Sequence, residues 1–355
     1  MILSSFSYKT YGWELVEMND LQPTNLLVGK NAAGKTRTIK ALQNVTSFMQ
    51  MKSSSVLQDS KFRTKMIFSN SEKSWKMTYM FEIDDKKVIY EQLTVCGRIL
   101  LTRNANRAEY NGVPVNPPKD KLVVQVRRDS EAFPEVEELM KWAEGVVVIS
   151  CSNINPYTIF NVPEDMINPV SFSGLVGMLT EEEKQAVIKD AKSLGYHIKD
   201  ISLVKAANEY KFVTVKEAYV RHPIFDVQLS NGMIRVLFLL CFLKSMKHGK
   251  QYSMLLIDDL GEGMDYSRAT QLGKKIFETC EQEKMQMIAS SNDAFLMDVV
   301  DISKWQILRR KNTKLTVLNQ TNTPDVFTHF RMTGLSNFDL FSSDYIDNFL
   351  AKDSR

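Results

Sequence analysis

Gly29 and Gly34, with Lys35 and Thr36 directly behind the second glycine, constrain this 355-residue chain more than any other feature. In Asn25-Leu26-Leu27-Val28-Gly29-Lys30-Asn31-Ala32-Ala33-Gly34-Lys35-Thr36 an apolar run feeds a glycine-rich turn, which opens into Arg37-Thr38-Ile39-Lys40-Ala41-Leu42. This is G-x-x-x-x-G-K-[ST] with a strand before it and a helix behind it, the context a phosphate-binding loop requires. The two glycines let the backbone bend around a phosphate with its N–H groups pointing inward, and the helix N-terminus adds partial positive charge. Lys35 is expected at the β- and γ-phosphates of ATP and Thr36 on Mg²⁺. Asn31, Ala32, Ala33 and Arg37 complete the expected nucleotide-binding set.

Composition narrows the class. Apolar residues make up 44% and charged residues 25%, ordinary globular values, and the net charge of +3 is too small to argue for nucleic acid by itself. Cys96, Cys151, Cys241 and Cys280 lack C-x-x-C spacing, so they read as buried thiols and indicate neither a zinc site nor a disulfide framework. The N-terminus lacks the basic start and long apolar core of a signal peptide. The longest apolar run, Val236 to Leu243, is about half of the ~18 residues a membrane span needs. A soluble, cytoplasmic protein with no membrane partner is expected.

Along the chain, residues 2–8 and 12–18 read as a hairpin ahead of the loop strand. Tyr11 and Trp13 sit where a ring could stack on adenine, although core or surface packing is the better explanation. Lys61 to Ser69, Trp75 to Ile83, Val88 to Val95 and Ile99 to Thr102 have the pattern of an antiparallel meander, expected beside the nucleotide core, and Asn111-Gly112 with Pro114 to Pro118 mark a loop. Leu122 to Val126 reads as a strand ending at Gln125, which could sense a γ-phosphate or be an ordinary strand glutamine. Pro134 to Glu144 reads as a short helix, Gly145 to Ser150 as a fully buried core strand, and Thr180 to Glu183 as a capping box before a helix that Gly195 stops. Strands follow at Ile201 to Lys205 and Tyr210 to Val215. No sustained heptads occur, so no long coiled coil is expected.

Two further segments carry chemistry. Ser230 and Gly232, ahead of the apolar segment Val236 to Met246, sit where a helix N-terminus could hold a second phosphate, though Ser-Asn-Gly is also a plain N-cap and turn. Met254 to Asp259 is an apolar strand ending in two carboxylates. Asp258 is then the expected Mg²⁺ anchor beside Thr36, and Asp259 the general base that polarises the attacking water.

Taken together, Gly29 to Thr36, Leu229 to Arg235, Ile257 to Asp259 and Gly261 to Asp265 resemble the ABC-type ATPase superfamily, and more narrowly the heads of SMC, RecF and overcoming-lysogenization-defect proteins. Gly29 to Thr36 is close to G-x-N-x-x-G-K-[ST], Leu229-Ser230-Asn231-Gly232 stands in for the LSGG-like signature, and Asp265 falls at the D-loop aspartate. The resemblance implies an α/β, ABC-type P-loop ATPase core with an antiparallel β lobe and a helical lobe, all in one domain over 1–355. The nucleotide core would take 1–60, 145–160 and 225–320, the β-rich lobe 61–125, a mixed signature lobe 161–220 and a helical tail 321–355.

It also implies a head-to-tail homodimer in which Ser230 and Gly232 of one copy close on ATP held by Lys35 of the other. Two positions depart from the family pattern. The base is usually glutamate where this chain has Asp259, and the switch residue after the next strand is usually histidine where Asn292 stands. Asparagine can hydrogen-bond a γ-phosphate or water but cannot shuttle a proton. The compact insertion in place of a coiled-coil arm looks like the short AAA-type ABC ATPases of bacterial defence loci, which implies an effector partner such as a nuclease, and leaves nucleic acid possible. Arg309 to Lys314 reads as a solvated basic turn, and Phe338 to Phe349 as a helix on its own core or a partner surface. The competing readings are the nucleotide-binding subunit of a transporter, which would need a glutamine loop and a switch histidine, and a nucleotide-gated scaffold that does not hydrolyse.

Overall fold

The computed structural model describes residues 1–51, 59–70, 75–105, 107–154, 171–205, 211–248, 252–343 and 345–353. Ser71, Tyr210 and most of the polar stretch after Met51 lie outside them, as do residues 161–170 of the expected signature lobe.

The chain opens with the hairpin β1 (Ile2–Thr10) and β2 (Glu14–Met18), then β3 (Thr24–Val28) and α1 (Lys35–Met49) on either side of the glycine-rich loop. The meander is β4 (Lys61–Asn70), β5 (Trp75–Asp84), β6 (Lys87–Val95), β7 (Arg98–Arg103), β8 (Ala108–Tyr110) and β9 (Val113–Val115). Next come α2 (Val123–Val126), α3 (Pro134–Glu144), β10 (Val146–Ser150), α4 (Phe172–Met178) and α5 (Glu181–Ser193). A separate three-stranded sheet holds β11 (Ile198–Lys205), β12 (Lys211–Glu217) and β13 (Ile224–Phe225). The nucleotide-loop half resumes with α6 (Asn231–Ser245), β14 (Met254–Asp258), α7 (Tyr266–Gln282), β15 (Gln286–Ser290) and α8 (Ala294–Val299). It closes with β16 (Trp305–Lys311), β17 (Lys314–Leu318), α9 (Pro324–Met332), α10 (Asn337–Ser342) and α11 (Tyr345–Asp353).

The meander does not sit beside the core as a separate layer. It continues the same sheet, fourteen strands in the order β10-β14-β15-β3-β16-β17-β2-β1-β4-β5-β6-β7-β8-β9. The five strands from β10 to β16 are parallel. Of these, β3, β14 and β15 are buried at every position, because helices cover both faces and leave no side for polar residues. Successive residues enter opposite cores: Leu26 and Val28 pack with α6 and α7, Leu27 with α1 and the inner face of the meander. In β4 and β5 buried residues alternate with half-buried or exposed ones instead, as in a sheet with one covered face.

Three local expectations change. Gly145 to Ser150 gives a parallel strand at the sheet's edge, so Val148 and Ser150 are only half-buried. Asn111 and Gly112, both at positive φ, form a tight turn rather than a long loop, and Val113–Val115 returns as β9. Leu122 to Val126 is helical, not a strand, because its backbone is capped from both sides. Glu91, wholly buried, accepts the N–H groups of Val123 at 2.7 Å and Val124 at 3.2 Å, and burial pushes its carboxyl up to about 7. Gln125 accepts the Leu122 N–H at 2.7 Å and donates to the carbonyls of Phe48 and Met49 that end α1. It therefore ties two helix ends together and does not face the phosphate loop. Gln125→Ala removes this donor from both carbonyls, leaving the Met51 N–H on Phe48 O, which should cost about 1–3 kcal/mol and lower the thermal midpoint. Nucleotide affinity should stay within about twofold; a selective loss of affinity in calorimetry would restore the sensor role.

The capping box at Thr180 and the positive φ of Gly195 bracket α5 as expected. Phe338, Phe341, Tyr345 and Phe349 pack on the chain's own core. Among the described residues no helix is long and apolar enough to cross a membrane, and none exceeds the 17 residues of α7, so there is no long coiled coil.

Candidate nucleotide site

The loop between β3 and α1 is held by two close approaches. A Cβ on Gly29 would lie 2.9 Å from Ala33 Cβ and 3.1 Å from the Leu308 carbonyl, and Gly34 has φ 110°, a backbone open to glycine but strained for other residues. Ala32 is also left-handed at φ 63°, and the Ala33 N–H closes the turn on Lys30 O at 2.9 Å. The result is a loop wrapped around the start of α1. Lys35 is buried and donates to Gly29 O at 2.6 Å, parked on the carbonyl that begins its own loop. Burial pulls its ammonium below the usual lysine range, and Asp259 and Asp258 hold it up.

Across the sheet, β14 delivers its two carboxylates to this loop. Thr36 Oγ1 donates to Asp258 Oδ1 at 3.1 Å, although the two residues lie 222 positions apart in sequence. Ser290 Oγ, at the end of β15, donates to the same Asp258 oxygen at 2.6 Å and accepts the Asp259 N–H at 2.9 Å. One serine thus fixes both carboxylate positions. Asp259 is at φ 57°, a left-handed conformation uncommon for a non-glycine residue, which ends the strand abruptly. Burial raises its carboxyl, with Asp258 and Glu262 adding to the shift and Lys35 opposing it.

Lys35, Thr36 and Asp259 line a cavity of about 640 Å³, within the range of small-ligand sites, while Asp258 reaches it only through its hydrogen bond to Thr36. Asn31, Ala32, Gly34, Lys35, Thr36 and Arg37 form one side and Asp259 with Asn292 the other, while Gly29 and Ala33 turn to a second cleft behind the loop. Among the described residues no group of three or more His, Cys, Asp or Glu side chains stands ready to hold a metal alone. A threonine hydroxyl beside one carboxylate is instead the oxygen set with which proteins hold Mg²⁺ when substrate phosphates complete the shell, so the residues fit that ion.

Ser230, Gly232 and Asp265 are not on this cavity. Ser230 caps α6 by accepting the Met233 N–H at 3.3 Å, and Asp265 caps α7 by accepting the Arg268 N–H at 3.1 Å. The two caps adjoin: a Cβ on Gly232 would stand 3.5 Å from the carbonyl of Gly263, just ahead of Asp265. Ser230 and Asp265 are exposed. Of the two rings noted in the hairpin, Tyr11 is fully exposed, while Trp13 is buried on the cavity wall. Ser290 and Arg310 were not singled out by sequence. Ser290 is half of an unremarkable Ser-Ser pair, and Arg310, which lines the cavity, belongs to a basic turn that reads as solvated.

The phosphate loop, the carboxylate-ended strand β14 one strand away from β3, and the antiparallel wing together make an ABC-type P-loop ATPase head fold, and within that class the fold is that of an SMC head. The chain is similar to the SMC head bound to the C-winged-helix domain of ScpA, with 10% identity, a TM-score of 0.57, and 90% of this chain and 98% of that one covered. It is similar also to the SMC head with an extended coiled coil bound to the C-terminal domain of ScpA derived from Pyrococcus furiosus, with 11% identity, a TM-score of 0.54, and coverage of 93% and 99%. No protein-family model and no curated protein matches the sequence.

Proposed function

We propose that the chain binds ATP with Mg²⁺ in the Lys35 cavity, hydrolyses it slowly, and works as a homodimer whose closing and opening switches an effector protein. The observation that carries this reading is the meeting of Thr36 and Asp258 at 3.1 Å beside Lys35 and Asp259. Thr36 and Asp258 would hold Mg²⁺, which when bound neutralises phosphate charge. Lys35 exchanges its carbonyl partner for phosphate oxygens. Asp259 orients a water and takes its proton as the oxygen attacks, and Asn292 steadies that water or the phosphate by hydrogen bonding. Asp259 is one methylene shorter than glutamate, and a ~1 Å misplacement can cost ~100-fold, so turnover is slow.

Two residues outside the cavity support the dimer. Ser230 is exposed and Gly232 half-buried at the start of α6, which suits them to close a second copy's cavity. Sedimentation tests this. MgATP should convert the protein from monomer to dimer, and Ser230→Arg should remain monomeric while its ATP affinity stays within a few fold. A variant that dimerises like the parent would sink the arrangement. The solved SMC heads carry a ScpA domain, which favours a protein partner here too; an effector such as a nuclease in anti-phage defence, in the cytoplasm, is the version we favour. Because Asp259 is short and Asn292 replaces histidine, a clamp without hydrolysis is the second reading, distinguished by the absence of phosphate release.

A further inference from the structure

The second cleft, behind the phosphate loop, has a volume of about 310 Å³, at the lower end of small-ligand sites. Gly29 to Ala33 line it from the loop and Ile307 and Leu308 from β16. The C-terminal helices line it with Leu340 and Phe341 of α10 and Ile346 and Asp347 of α11. The tail thus encloses a space against the back of the nucleotide loop.

That space is hydrocarbon with a charged edge. Ile307, Leu308, Leu340 and Ile346 are buried and carry no polar side-chain atom, so they suit an apolar body. At the edge Arg309 and Asp347 satisfy each other as an ion pair. Arg310 is placed differently. It is exposed, and among the described residues its guanidinium meets only backbone carbonyls, Asn312 O at 2.9 Å and Ala32 O at 3.5 Å. A guanidinium has five N–H donors in a fork that matches a carboxylate, so a bidentate pair is still open to it. Apolar walls beside such an arginine fit a ligand with a carboxylate head and a hydrocarbon body. At the ~30 Å³ that one water occupies in the liquid, the cleft has room for about ten non-hydrogen atoms. A nucleotide is too large and too polar for it.

We infer that this cleft binds a medium-chain carboxylate of about eight carbons, and that its occupancy weakens ATP binding at the front of the loop. Asn31, Ala32 and Arg310 line both cavities. A carboxylate that engages Arg310 from behind withdraws that cation from the phosphates, and by linkage ATP weakens the carboxylate to the same degree. The coupling rests on the reading of the Lys35 cavity as an ATP site; the cleft does not.

Calorimetry on the full chain with sodium octanoate, and with 1-octanol, which keeps the chain and lacks the charge, tests the cleft. Octanoate should bind about tenfold more tightly than the alcohol, and Arg310→Gln should bring the two within about twofold of each other. Ile346→Glu, which sets a like charge in the hydrocarbon wall, should abolish octanoate binding and leave ATP affinity within about twofold of the parent. Saturating octanoate should weaken ATP about fivefold in the parent and less than about twofold in Arg310→Gln. No octanoate binding by the parent, equal binding of the alcohol, or binding that survives Ile346→Glu would overturn the cleft as a site. Octanoate that binds and leaves ATP affinity unchanged would overturn the coupling. A parent that takes octanoate but no ATP would overturn the proposed function, and the coupling with it, and leave the cleft standing. The parent's ratio of octanoate to octanol decides even where a variant is unstable.

Discussion

Lys35→Ala should abolish measurable ATP binding, a loss of at least about 100-fold. Each hydrogen bond from a charged group contributes roughly 1.5–3 kcal/mol, and the ammonium would make two or more to phosphate oxygens. It is also buried between the loop and two carboxylates, so its removal leaves Asp258 and Asp259 to repel the incoming phosphates. Calorimetry checks the loss, and an unchanged thermal midpoint shows that the fold survives. Binding within tenfold of the parent would mean that phosphates are held elsewhere.

Asp259→Asn should bind ATP at least as well as the parent and turn over about 10²–10⁴ times more slowly, the usual contribution of a general base. Dimers should then accumulate in MgATP, since the step that opens them is blocked. The pH dependence has a definite sign. Burial, Asp258 and Glu262 raise the Asp259 carboxyl, and a base must be ionised, so turnover in the parent should fall off with acid at a higher pH than an ordinary aspartate dictates. For stability the sign is opposite. A carboxyl raised in the fold makes its ionised form a cost at neutral pH, relieved as pH drops through the raised value, so Asp259→Asn should raise the thermal midpoint of the nucleotide-free protein. A variant that hydrolyses at the parental rate would remove Asp259 from the chemistry.

The parts of this site written into consecutive residues were legible in sequence. Gly29 to Thr36 demands its turn and helix by glycine geometry alone, and an all-apolar strand ending in Asp258-Asp259 announces its own end. Helix starts with side-chain caps, such as Thr180 and Ser230, were equally plain. What failed depended on partners distant in sequence. Leu122 to Val126 has β-branched residues that favour a strand, yet Glu91 and the carbonyls ending α1 supply hydrogen bonds that only a helical turn can use. Ser290 matters because β15 lies between β3 and β14, a neighbour relation no local pattern encodes. The meander was legible as a β lobe of the same domain, but its continuation of the core sheet was not, because the parallel pairing of β17 with β2 that joins them links segments at opposite ends of the chain.

That junction has the fewest paired residues of any in the fourteen-stranded sheet. Lys314 with Glu14 and Leu315 with Leu15 are the two residue pairs that stitch the strands there, whereas β1 with β4 runs to eight. The cavity lies across this narrow stitch, Tyr8 and Trp13 on one bank and Lys35 and Arg310 on the other. A molecule filling it would rivet the two banks, so pulling them apart should demand more force when the rivet is in place.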